Sequence, residues 1–346
     1  MELRLLCAMA DRPSKMIVCL VPAYRAADSV CGVVAAALAH VDRVIVIDDA
    51  CPQECGLIVE LQFAGDPKVE VLRHQTNRGV GGAMKTGIRR ALQLDATFVV
   101  KVDADGQMEA RHIPYMVRAL MANPRLALMK GNRFFDGSVA RLMPGIRLLG
   151  NSILTLLVRF TTGYWNAIDP TNGFVVIRAS VLKRTNLEHL ADRYFFEISL
   201  LTALGLQKLE IGEIETIALY GNNGSSLSVW KTALSFPGKL AGSFIRRIFW
   251  QYFISDMNVG SLFFIFGSLL TVLAAIVGGI WWEEALRSGI PRTPGTVTLV
   301  LVPLIMGFQL LLNALLYDVQ SSTRVFKFSS GESFNDPVYA REIARV

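Results

Sequence analysis

Asp103 and Asp105 stand one residue apart at the end of the apolar stretch FVVKVDADGQM, residues 98–108. A carboxylate is expensive to bury unless something positive meets it. Two carboxylates in this spacing at a strand end can both reach one hard cation. Mg2+ and Mn2+ prefer oxygen ligands, and Mg2+ is commonly held by one or two carboxylates together with substrate phosphates. The triplet alone also fits a solvated turn. The apolar run before it, and Gly106 and Gln107 after it, favour a metal–diphosphate site.

Four other apolar runs end in similar polar signals: VPAY (21–24), DDACPQ (48–53), NRGVGG (77–82) and GNRF (131–134). The runs MIVCLVPAY, VDRVIVIDDA, KVEVLRH, ATFVVKVDAD and LALMKGNRF read as buried strands. Between them, SVCGVVAAALAHV and VGGAMKTGIRRALQL read as helices. This alternation predicts a mainly parallel sheet covered on both faces. Ligands of such sheets lie at the carboxyl ends of the strands, so the polar signals converge on one cleft.

NRGVGGAMKTG invites comparison with a phosphate loop. A Walker loop needs Gly immediately before the Lys-Ser/Thr pair. Met84 precedes Lys85 and Thr86, so the pattern fails, and Met84 also stands where the third glycine of a dinucleotide loop belongs. Two readings stay open: glycines that let the backbone approach a ligand, or a structural helix entry.

A length of 346 residues suits one large domain, or a domain with an appendage. A mean hydropathy of +0.40 is too high for an ordinary soluble enzyme and directs attention to membrane segments. Asn258–Trp282 and Gly295–Tyr317 are uncharged, and each exceeds the roughly 20 residues needed to cross a bilayer core. Trp281, Trp282 and Tyr317 at their ends fit a membrane interface better than a pair of buried core helices. The linker EEALRSGIPRTP is short, so the pair forms a hairpin. Lys239, Arg246 and Arg247 precede it, and Arg324 and Lys327 follow it. Its loop offsets Arg287 and Arg292 with Glu283 and Glu284. The weak positive-inside bias points both flanks to the cytoplasm. Residues 231–256 alternate bulky apolar and basic side chains, as interfacial helices on a bilayer do; a solvated amphipathic helix is the other reading.

A net charge of +6 suits an anionic partner or membrane surface and gives no argument for nucleic acid. Cys7, Cys19, Cys31, Cys51 and Cys55 make no paired framework and read as reduced thiols. The four histidines have no ligand spacing. MELRLLCAMADR, whose apolar run is broken by Arg4, reads as an extension and not a signal peptide.

Taken in order, VPAYRAADSV, VIDDACP, NRGVGGAMKTGIRRAL, VDADGQM, GNRF and DPTNGFVVIRASVL resemble a family 2 glycosyltransferase. The two C-terminal spans narrow the resemblance to the polyisoprenyl-phosphate glycosyltransferases, the group that includes dolichol-phosphate mannose synthase. The resemblance implies an α/β GT-A fold, a nucleotide-sugar donor, Mg2+ or Mn2+, and inverting transfer to a polyprenyl phosphate. On that basis the chain divides into an extension (1–14), a GT-A catalytic domain (15–230), juxtamembrane helices (231–257), two transmembrane helices (258–282 and 295–317) and a cytoplasmic tail (318–346).

The resemblance also implies residue roles. Pro22, Ala23 and Tyr24 line the base and ribose, with Asp48 and Asp49 beside them. Gly79 and Ala104 complete the donor site. The family's Asp-Asp-Gly-Ser reads DDAC here, so Ala50 and Cys51 depart from it. Asp103, Asp105 and Gln107 hold the metal. Arg133 meets the donor diphosphate or the acceptor phosphate, and Asp169 faces the sugar; these two form the catalytic pair. Arg147 binds the lipid phosphate, or is a solvated helix charge. Glu197 supports the site, or lies on a helix surface. Ser225, Ser226 and Lys231 fall near the family's donor-closing loop, with altered spacing.

No Gln-x-x-Arg-Trp signature of polymerising relatives is present, which argues for one transfer per lipid. The expected donor is a UDP-sugar, with GDP-mannose as the alternative. The expected setting is the cytoplasmic face of a bacterial inner membrane, and assembly through the hairpin is allowed. Transfer to a hydroxyl of a lipid-linked saccharide, and a non-catalytic membrane scaffold, are the competing functions.

Overall fold

In the computed structural model, the residues described are 15–134, 145–216 and 229–328. The β-branched runs form the strands expected of them: Ile17–Ala23 (β1), Arg43–Asp48 (β2), Val69–Arg73 (β3), Phe98–Lys101 (β4) and Leu126–Asn132 (β5). Three more strands join them: Val175–Arg178 (β6), Glu210–Glu215 (β7) and Val325–Phe328 (β8). The eight form one sheet in the order β3-β2-β1-β4-β6-β5-β7-β8. Only β6 runs against its neighbours, pairing antiparallel with both β4 and β5. The chain therefore enters β6 at the rim where the parallel strands end. That reversal brings the segment DPTNGF, residues 169–174, beside the ends of β4 and β5.

Helices cover both faces: Val30–Leu38 (α1), Cys55–Gln62 (α2), Gly79–Gln93 (α3), Ile113–Ala122 (α4), Gly145–Thr162 (α5), Ala179–Arg184 (α6) and Phe196–Leu206 (α7). On one face Val21, Val46, Val100 and Val176 pack with Val34 of α1 and Leu120 of α4. On the other, Leu20, Ile45, Val99 and Ile177 pack with Met84 and Ile88 of α3 and Leu200 and Leu204 of α7. Burial on both faces is why these strands read as continuous apolar runs; β3, expected to be buried, has no buried residue because it stands at the edge of the sheet. Each such side chain contributes about 1.5–3 kcal/mol, and this core fixes the strand ends.

The chain divides into two compact units, one comprising residues up to Leu240 together with those from Thr323 onward, the other Ala241–Ser322. Helix α8 (Val229–Phe249) runs across the boundary and continues as a π-helical turn, Trp250–Ser255. In the second unit, Val259–Ser288 (α9) and Pro294–Gln320 (α10) extend past the spans expected from sequence. Their most apolar stretches have mean hydropathies of 2.4 and 2.3 and are only 11% and 6% buried. A soluble core helix of that composition would be covered, so both helices suit a bilayer. Small residues bring them close: a Cβ on Gly307 would lie 2.4 Å from Thr271 Oγ1, and one on Gly267 would lie 3.1 Å from the Gly307 carbonyl.

Arg247 is buried in this unit and donates from both Nη atoms to Asp318, at 2.9 and 2.8 Å, while Tyr252 Oη donates to the same carboxylate at 2.7 Å. The planar guanidinium suits such a two-pronged pairing. Residues 318–346, expected as a tail, begin inside α10 and include β8, which pairs parallel with β7 in the first unit. The strand is short, and Phe328 is its one buried position. Ser225 and Ser226 lie outside the described residues, as do the side chains of Arg147 and Lys231.

Candidate active site

The carboxyl rim begins with β4. Just past its end, Asp103 is partly exposed and Asp105 is exposed. Asp103 Oδ1 accepts from Lys101 Nζ at 2.5 Å, and the same ammonium reaches Glu197 Oε1 at 3.1 Å and the Gly173 carbonyl at 3.3 Å. Burial alone would push the Lys101 ammonium toward neutrality; Asp103 and Glu197 outweigh it and raise its pKa. Asp105 Oδ1 accepts from the Gln107 backbone N–H at 3.0 Å, closing a turn through Gly106 at φ +74°. Desolvation, with Asp103 nearby, raises the Asp105 carboxyl above its ordinary range. Ala104 is buried, and its carbonyl accepts from Ser29 Oγ at 2.6 Å, which ties this turn to the loop after β1.

Among the described residues, no three His, Cys, Asp or Glu side chains converge as a ready metal site. What the turn offers is two hard carboxylates, one of them exposed and carrying a single backbone hydrogen bond on one oxygen. That donor set fits a divalent cation whose remaining ligands come from a diphosphate. Gln107 contributes its N–H to the turn, and its side chain is half-buried.

A second cluster sits where β5 ends and β6 begins. Asp169 is 1% exposed. Arg133 Nε donates to its Oδ2 at 2.8 Å, Arg133 Nη2 to its Oδ1 at 3.1 Å, and the Arg133 backbone N–H to Oδ2 at 3.2 Å. Burial pushes the Asp169 carboxyl up, but Arg133 and then Lys130 outweigh it and hold it below the ordinary carboxylate range. Lys130, equally buried, donates Nζ to the Asp169 carbonyl, and desolvation lowers its pKa. Glu213 of β7 is fully buried. It accepts from the N–H groups of Ile168 (3.0 Å) and Asp169 (3.3 Å) and from Asn132 Nδ2 (2.9 Å). Burial raises its carboxyl. The sheet register explains the layout: Val175 lies opposite Lys101 on one side and Lys130 on the other, so both lysines end at the Asp169 segment.

The structure joins Arg133 to Asp169 directly. The sequence reading gave one to phosphate and the other to sugar; here each is the other's partner, with the guanidinium one-third exposed and the carboxylate covered. Glu197, for which a helix surface was the alternative, is mostly buried against Lys101.

Asp48 and Asp49, expected at the donor base, accept hydrogen bonds from the loops around them. Asp48 accepts from the Cys51 and Gly56 N–H groups, each at 2.7 Å, and so folds the turn into α2. Asp49 accepts from the Arg78 and Gly79 N–H groups at 2.8 and 2.7 Å and pairs with His74 Nδ1 at 2.7 Å. Every carboxylate oxygen here serves the backbone or His74. The glycines at the entry to α3 make a close approach to the chain itself. A Cβ on Gly81 would stand 2.0 Å from the Ala191 carbonyl, and one on Gly79, at φ +81°, 2.7 Å from the Asp192 carbonyl. Lys85 Nζ adds an ion pair to Asp192 at 2.7 Å. These are the contacts of a structural helix entry.

Tyr24 is exposed beside half-buried Pro22 and buried Ala23. Ala50 takes φ +54°, the left-handed conformation for which the family pattern has glycine. Cys51 and Cys55 bring their sulfurs to 3.1 Å and accept from the Arg25 and Ala26 N–H groups. Lys101, Lys130, Glu213 and His74 escaped the sequence reading. The signal for the lysines was there: a charge inside an apolar run buried on both faces must be paired.

Residues 18–189 match the model of Glycosyl transferase family 2. The chain carries a family 2 glycosyltransferase domain over those residues. It is 28% identical to a UDP-N-acetylglucosamine–dolichyl-phosphate N-acetylglucosaminyltransferase of Methanococcus voltae, over 61% of this chain and 88% of that protein. It is 30% identical to an undecaprenyl-phosphate mannosyltransferase of Micrococcus luteus, over 45% of this chain and 63% of that one. Among solved structures, glucosyl-3-phosphoglycerate synthase of Mycobacterium tuberculosis superposes with a TM-score of 0.48 at 17% identity, covering 71% of this chain and 83% of that one. The glycosyltransferase has a GT-A-like sheet, mostly parallel, with two apolar helices toward its C-terminus.

Proposed function

We propose that this glycosyltransferase moves a sugar from a nucleotide sugar, with a UDP-sugar favoured, to a polyprenyl phosphate at the cytoplasmic face of a membrane. The observation that carries the reading is one chain holding both an open carboxylate turn, Asp103–Asp105, and two helices able to cross a bilayer. The donor is soluble and the acceptor is not. Relatives named for dolichyl-phosphate and undecaprenyl-phosphate transfer support the acceptor class.

In this reading Asp105 and the free side of Asp103 would hold a divalent cation beside the donor diphosphate, and Gln107 holds the turn. Such a cation would neutralise charge on the departing nucleotide. Tyr24 offers an exposed ring to the base, and Pro22 and Ala23 shape the floor beneath it. Asp48, Asp49 and Gly79 act from behind, by fixing the loops that meet the donor. Arg133 presents its exposed edge to phosphate while Asp169 fixes its direction, and Arg147 is assigned to the lipid phosphate. A phosphate acceptor is ionised near neutral pH and needs no strong base.

A hydroxyl acceptor would need one, and a buried, ionised Asp169 clamped by Arg133 is a poor candidate. The test is a panel of nucleotide sugars offered with undecaprenyl phosphate in detergent. The expected product is a sugar-phosphoryl-lipid labile to mild acid. A product resistant to mild acid would sink the phosphate acceptor.

A further inference from the structure

Lys101 holds the inner side of the carboxylate turn. It is 1% exposed, and its ammonium lies between Asp103 and Glu197, at 2.5 and 3.1 Å. The chain makes room for this arrangement. A Cβ on Gly173 would fall 2.5 Å from Lys101 Nζ and 2.9 Å from Asp103 Oδ2, so any other residue there would push the pair apart. The same ammonium also bonds the Gly173 carbonyl. A buried lysine is kept charged only by such partners, and buried carboxylates in turn need a cation. Without the lysine, Asp103 and Glu197 would face each other with no cation between them, and their uncompensated charge would favour a divalent ion at the turn.

We propose that Lys101 is a resident cation: it occupies the inner side of the Asp103–Glu197 pair, so that Mn2+ or Mg2+ binds weakly alone and firmly only when a diphosphate completes its ligands. The inference rests on the metal–diphosphate reading of the site. It makes cation loading depend on the donor, and it gives Lys101 a positioning role with no contact to substrate. An ordinary structural lysine would behave differently, since its loss loosens the turn and weakens every ligand.

The test is a titration of Mn2+, followed by its electron paramagnetic resonance signal, into the purified full chain in detergent, with and without UDP. Wild type should bind Mn2+ weakly alone and more tightly with UDP. Lys101→Met should bind Mn2+ alone about tenfold more tightly, because a competing charge within a few ångströms has gone, and UDP should then add less. Lys101→Arg, which keeps the charge, should resemble wild type. Glu197→Gln keeps the lysine but leaves it wholly to Asp103, so it should bind Mn2+ more weakly than wild type. Lys101→Met binding no more tightly than wild type overturns the proposal. If that variant does not fold, Glu197→Gln binding as tightly as wild type overturns it. Wild type that takes up no Mn2+ even with UDP sinks the metal reading itself, and this proposal with it.

Discussion

Two pairs of aspartates end two parallel strands of the same sheet, and the chain uses them in opposite ways. Asp48 and Asp49, after β2, accept four backbone N–H groups and pair with His74. Asp103 and Asp105, after β4, accept one backbone N–H and one ammonium in the contacts described above, and Asp105 remains exposed. Residue type and strand position are nearly alike. The difference lies in how much of each carboxylate's hydrogen-bonding capacity the protein has already filled. A filled carboxylate is scaffold, and an open one is free to take a ligand.

The comparison breaks most visibly through stability. Asp49→Ala leaves the Arg78 and Gly79 N–H groups and His74 without their acceptor in a buried place. Removing one partner of a buried, charge-assisted set costs about 3–5 kcal/mol. Denaturant unfolding in detergent should show that loss, and a loss under about 1 kcal/mol would mean Asp49 is not scaffold. The reverse holds for Asp105→Asn. We expect its unfolding midpoint to stay at the wild-type value while metal-dependent transfer falls by about 100- to 1,000-fold, the usual cost of one electrostatic group at a transition state. Undiminished transfer by that variant would falsify the metal assignment.

Much of this was legible in the sequence, and the limits have physical causes. Strands β1, β2, β4 and β5 announce themselves because burial on both faces demands unbroken apolar runs, whereas β3 is an edge strand with Glu70 and Arg73 among its apolar residues. β7, EIGEIE, hides because Glu213 is a fully buried acid between half-buried Glu210 and Glu215, so its alternation imitates a solvent-facing edge. β6 is four residues long and lies inside the DPTNGFVVIRASVL motif. The polar signals lie together at the rim because each follows a strand. What stayed hidden was partnership. No spacing rule says that Arg133 clamps Asp169, because β6 must first reverse direction to bring them together.

A smaller effect sharpens the contrast at the glycine motif. Gly81→Ala would drive a methyl into the Ala191 carbonyl, 2.0 Å away, while Gly32→Ala meets nothing within 4 Å. The first should destabilise by about 1–3 kcal/mol through overpacking. The second should stabilise by about 0.5–1 kcal/mol, because alanine is the better residue inside α1. Equal behaviour of the two variants, in paired unfolding curves, would return the NRGVGG segment to the ligand-approach reading.

The subtlest expected effect is in the pH dependence of stability, where Asp169 and Glu213 act with opposite sign. Asp169 is depressed by Arg133 and Lys130, which outweigh its burial. The stability it contributes is present above the unfolded carboxyl value of about 3.9 and is lost as pH falls through its folded value. Glu213 is raised by burial. It takes up its proton more readily folded than unfolded, so its contribution grows as pH falls from its folded value toward about 4.3. The difference between wild type and Glu213→Gln, followed by denaturant unfolding from neutral pH downward, should therefore widen in favour of wild type on mild acidification. Below that window it should level off, while the Asp169 contribution falls away in both proteins. A difference independent of pH would mean that Glu213 titrates as it does in the unfolded chain. The three donors around Glu213, from Ile168, Asp169 and Asn132, would then be held by geometry alone.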